Sequence, residues 1–122
     1  MSLKQIVTKH QKMLLVGAIL LYFIAQSLAW FQINGQFVSP WCKEHPFLLS
    51  LIGIPISYLF IVATDWTFQA LAGSVWPGRL LTFACGIVVF TLLTYLLLGE
   101  GLTWKTIISL LLTLIIIALQ VF

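Results

Sequence analysis

Charge is what this sequence has least of. Only 7% of its 122 residues are charged, three acidic and six basic, where a soluble domain carries about 25%. That shortage excludes a water-soluble globular domain, and a mean hydropathy of +1.13 makes lipid the solvent for most of the chain. Cysteine is scarce as well. Cys42 in a connecting stretch and Cys85 inside an apolar run form no disulfide framework and no metal-ligand spacing, and Cys85 is expected to pack as a small apolar residue. His10 and His45 flank different apolar runs and lack partners. There is no Gly-rich phosphate loop and no pair of carboxylates. No catalytic residue, metal site or cofactor is therefore expected, and the protein is not expected to be an enzyme.

Alternation is missing too. Lipid cannot satisfy backbone amides, so spanning segments must be helices or a closed barrel. The apolar runs here are continuous rather than alternating, which excludes a barrel. At roughly 20 apolar residues per span, four helices and their connections use the whole chain. The expected fold class is all-α, an integral membrane bundle of four transmembrane helices in one domain over residues 1–122. The spans are placed at residues 12–33, 47–68, 79–98 and 103–122. Lysines followed by an apolar run and Ser27-Leu28-Ala29 imitate a secretory signal with a cleavage site. With Met1 at its head, this segment is expected to be retained as the first span.

Punctuation residues set the boundaries. Pro46 suits the first position of span two, where its missing N–H is unpaired anyway, and Pro55 predicts a kink within it. Residues 72–78, Ala-Gly-Ser-Val-Trp-Pro-Gly, break the chain before span three. Gly99-Glu100-Gly101 breaks it again, and Thr103 is the expected N-cap of span four. Trp30, Trp41, Trp66, Trp76 and Trp104 all fall near span ends, where indoles sit at the headgroup level.

The basic residues flank the apolar runs, so the net charge of +3 is read as membrane anchoring and not as a nucleic-acid footprint. Lys4, Lys9, Lys12 and Arg79 fall on one side, and Lys43 and Lys105 on the other. Four against two places both termini in the cytoplasm, and insertion in both orientations stays open.

Polar groups deep in a span are candidates for function because burying them is costly. Asp65 is the only acid within an apolar run. It lies ~12 Å along the helix from the middle of span two, on the Arg79 side. Two readings stand: an end-of-helix carboxylate, solvated or ion-paired with Arg79, and a proton- or cation-coupling site. Gln26 lies ~5 Å from the middle of span one, and its amide must find partners there. It is read either as a hydrogen-bonding bridge between helices or as a ligand contact. Tyr22 and Trp30, four residues either side, share its face. With Tyr58 near the middle of span two, Tyr22, Gln26 and Trp30 are the candidate substrate-binding residues. Small residues four apart mark close helix approaches: Ala25 and Ala29, Gly53 and Ser57, Thr82 and Gly86, Ser109 and Thr113.

One stretch carries a resemblance. Residues 86–118, about a quarter of the chain, contain Phe90, Leu-Leu-Leu at 96–98, Gly99, Glu100, Leu102 and Thr103, then an apolar helix. This pattern resembles the last two helices of the EamA-type repeat of the drug/metabolite transporter superfamily. A single four-span unit is also similar to the small multidrug-resistance branch, whose members are dimers. The resemblance makes Glu100 a hinge residue and implies a transporter-like protein of a bacterial inner membrane. Such a protein would be dimeric, or joined to other membrane subunits, and would bind or move a small amphipathic, metabolite or lipid-like solute. The small multidrug exporters carry a glutamate in their first span. Span one here has no acid, Gln26 being its only strongly polar deep group. The alternative expectation is an accessory or scaffold subunit that does not transport.

Overall fold

The computed structural model describes residues 3–71 and 73–121, and the side chains of 9–71, 73–116, 118 and 119. Six helices follow in order: α1 (Leu3–Asn34), α2 (Pro40–Glu44), α3 (Pro46–Leu51), α4 (Gly53–Ala70), α5 (Trp76–Leu98) and α6 (Trp104–Val121). A single 3-10 turn, Gly35–Phe37, joins α1 to α2. No strand occurs among the described residues. Three stretches are long and apolar enough to cross a membrane: Lys9–Phe37, Pro46–Ala70 and Trp76–Leu98. The described apolar stretch of α6, Trp104–Ile116, is shorter.

The breaks follow from backbone chemistry. Where one kinked helix was expected there are two, α3 and α4, meeting at Ile52. Pro55 offers no N–H to the carbonyl of Leu51, and its ring crowds that residue. The chain therefore tightens one turn earlier, with the Ile52 N–H donating to the Leu49 carbonyl at 3.1 Å in the i to i−3 manner of a 3-10 turn. The break expected over residues 72–78 is also shorter than the sequence suggested. Ala72 lies outside the described residues, but Trp76, Pro77 and Gly78 already form the first turn of α5, with Pro77 at a position that needs no donor.

At the other end of α5, Gly99 adopts φ 66° and donates its N–H to the Tyr95 carbonyl. This left-handed C-terminal cap suits a residue without a Cβ. Thr103 then caps α6, its hydroxyl accepting from the Thr106 N–H at 3.3 Å.

Helix α1 is the central element, packed against both α4 and α5, while α6 packs chiefly on α5. Tyr22 meets Thr64 on α4 and Gln32 meets Leu49 on α3, so α1 runs antiparallel to the α3–α4 pair. Gln26 meets Thr82 and Trp30 meets Thr94, so α1 and α5 run parallel. The interior is thin: Ala18, Tyr22, Ala63 and Cys85 form its buried centre, flanked by Ile19, Phe60, Trp66 and Leu81. Outward faces are apolar and open, with Ile54, Ile61, Leu92 and Leu119 exposed. Every described side chain of α6 except Leu110 and Thr113 is exposed. Apolar surface on this scale is far beyond what a water-soluble monomer shows and is compatible with a bundle of membrane helices.

Candidate functional site

The face of α1 turned to α4 and α5 concentrates the polar chemistry of the interior. Tyr22, Gln26 and Trp30 stand one turn apart on α1 and each reaches a different threonine. The Tyr22 and Thr64 hydroxyls share a hydrogen bond at 3.3 Å. Gln26 Nε2 donates to the Thr82 carbonyl at 3.0 Å and to its hydroxyl at 3.2 Å. Trp30 Nε1 donates to the Thr94 hydroxyl at 3.1 Å, both residues being buried. Hydrogen bonds between membrane helices average about 0.6 kcal/mol, so three such rungs fix the register of α1 more than they stabilise the fold. In an apolar seam, where ordinary side chains slide past one another at little cost, that is the more useful contribution.

Gln26 reaches α5 because Gly86 makes room. A Cβ built at Gly86 would lie 2.9 Å from the Gln26 Cδ and Nε2 atoms, inside van der Waals contact. The Thr82 and Gly86 pair, read from spacing as a close helix approach, is where an amide enters the neighbouring helix.

Two clefts flank this point. One, of about 580 Å³, lies between α1, α5 and α6 and runs from Gln26 and Phe83 past Trp30 and Phe90 to Asn34 and Glu100. The other, of about 480 Å³, lies between α1, α4 and α5 and runs from Gln26 and Phe83 past Phe60 and Thr64 to Val75 and Arg79. Asn34 ends α1 and Glu100 follows α5, whereas Val75 and Arg79 stand at the start of α5. The clefts thus extend toward opposite ends of the bundle and share Gln26 and Phe83.

The remaining candidates from the sequence lie elsewhere. Tyr58 is 68% exposed on α4 and lines neither cleft, so it is not brought to Tyr22, Gln26 and Trp30. Asp65 is exposed, and its carboxylate accepts from Gln69 Nε2 at 2.9 Å, one turn along the same helix. Arg79 opens onto the α1–α4–α5 cleft instead. Trp30 corrects a different expectation. Its indole is 3% exposed and tied to Thr94, so it belongs to the interior and not to a headgroup belt, whereas Trp41, Trp76 and Trp104 are exposed.

Sequence reasoning missed Thr64, Thr82, Phe83 and Thr94 as lining or bonding residues. Threonine and phenylalanine are common in apolar helices, and only the fourfold spacing of Thr82 and Gly86 offered a signal. Among the described residues no group of His, Cys, Asp and Glu is placed to hold a metal ion. Comparison with protein-family models, with curated proteins and with solved structures finds no match to this chain.

Proposed function

We propose that the protein is a four-helix integral membrane protein of transporter type, related to the drug/metabolite transporters, that binds and moves a small amphipathic solute along the α1–α5 seam. The observation that carries the reading is the pair of clefts that extend toward opposite ends of the bundle and meet at Gln26 and Phe83. A solute entering at one end would find mostly apolar walls, a few hydroxyls and one amide at the partition, the usual make-up of a small-molecule site. Release of Gln26 from Thr82, two hydrogen bonds of modest strength, is the step that would join the halves.

The working form is a homodimer in a bacterial inner membrane with both termini cytoplasmic. A second copy supplies cover for α6, which the single chain leaves almost bare. The same bare helix favours a second reading, an accessory subunit wedged against other membrane proteins.

Flux into liposomes reconstituted with the purified protein separates the two. Transport of an amphipathic amine, metabolite or lipid, reduced by Gln26→Ala, is the expected result. No flux for any of these, together with stable co-purification of another membrane subunit, would establish the accessory reading in its place.

A further inference from the structure

The two clefts differ in charge. Among the described residues, the α1–α4–α5 cleft carries one charged side chain, Arg79, with Phe60, Val75 and Phe83 as its apolar walls. No carboxylate among the described residues lines it, and the acid next to Thr64 in the chain, Asp65, is bonded to Gln69. Two threonine hydroxyls, Thr64 and Thr82, line this space. Thr82 accepts at its hydroxyl from Gln26, which leaves its own hydrogen free to donate. Tyr22 is fully buried, and when its hydroxyl donates to Thr64 in the bond they share, the Thr64 hydrogen is free to donate as well. Arg79 is exposed in the first turn of α5, and Phe83 lies one turn further in. The cleft thus runs from a guanidinium at its mouth to aromatic walls and hydroxyl donors within.

We infer that this cleft takes the headgroup of an anionic, phosphate-bearing lipid, with Arg79 bonding the phosphate and the hydrocarbon lying against Phe60 and Phe83. A guanidinium fork matches two phosphate oxygens at once, and the threonine hydroxyls can donate to further oxygens of the same group; the preference for an anion comes from Arg79. A cationic amphiphile would meet Arg79 with no carboxylate on the wall to offset the repulsion. The apolar walls favour an anion that carries a chain over a free inorganic one. The inference rests on reading the seam as a solute path, but it is measured by binding and not by flux.

The test is native mass spectrometry of the detergent-purified protein titrated with dioleoyl phosphatidic acid, and with dioleoylglycerol as the same chains without phosphate. Phosphatidic acid is retained in preference to dioleoylglycerol, and Arg79→Gln weakens its binding by about tenfold, the ordinary loss for one charge-assisted pair. Arg79→Lys keeps part of the affinity. Lys12→Gln, which removes an exposed cation at the same end of the bundle, leaves it unchanged. Equal losses in Arg79→Gln and Lys12→Gln would reduce the effect to general surface attraction and overturn the site. Equal retention of dioleoylglycerol would overturn the headgroup, and displacement by inorganic phosphate at matching affinity would overturn the lipid. Selective binding without flux leaves this inference standing and removes transport; flux without selectivity does the reverse.

Discussion

Gln26 is the residue on which the interior turns. It bridges α1 to α5, lines both clefts, and depends on the absence of a side chain at Gly86. Gly86→Ala therefore places a methyl group 2.9 Å from the Gln26 amide and is expected to push it off Thr82. Overpacking of this kind costs about 1–3 kcal/mol, measurable as a loss of stability to denaturation in detergent. Gln26→Ala in the same chain should recover most of that loss, since it removes the group that clashes. If Gly86→Ala is neutral, the amide does not occupy that notch.

Gln26 was legible in the sequence because a strongly polar side chain is rare in an apolar span. Trp30 was not: its position near a span end fits a headgroup anchor as well as it fits the interior, and only the hydrogen bond to Thr94 decides. Tyr58 stands apart from the clefts for a related reason, since depth along a helix says nothing about which way a side chain faces.

Among the helices, the ends were easier to read than the faces. Pro46, Gly99 and Thr103 act through backbone donors, carbonyls and φ, which are local, and each does so where the sequence placed a boundary, whereas Pro77 starts α5 inside the stretch read as a break. Pro55 acts one turn upstream of itself, which is why a kink became a division into α3 and α4. Faces were obscure because nearly every position in these spans is apolar. Without polar residues to mark an outside, no periodicity points to α1 as the centre or to α6 as the edge.

The edge helix depends most on its own end chemistry. Thr103→Ala removes the hydroxyl that receives the Thr106 N–H and should cost about 1 kcal/mol. Because α6 packs chiefly on α5, the loss should appear as faster hydrogen exchange in its first turn, with exchange in α1 and α4 unchanged. Uniformly faster exchange would mean that α6 is folded cooperatively with the rest.

For the whole molecule, the account joins a thin interior, broad apolar faces and two clefts that share one partition. So few buried side chains and three stretches long and apolar enough to cross a membrane are compatible with a bundle surrounded by lipid. Within that setting the geometry makes a demand on sidedness: the α1–α5–α6 cleft belongs to the end that carries Cys42 and Glu100, and the α1–α4–α5 cleft to the end that carries Arg79.

Labelling of introduced cysteines by a membrane-impermeant maleimide tests this directly. In a Cys42→Ser background, Thr91→Cys reports one cleft and Thr64→Cys the other, while the native Cys85 is buried. The account predicts that Thr91→Cys reacts only from the side of the membrane on which Cys42 itself is labelled, and Thr64→Cys only from the opposite side. Reaction of both from the same side, or of either equally from both, would contradict it.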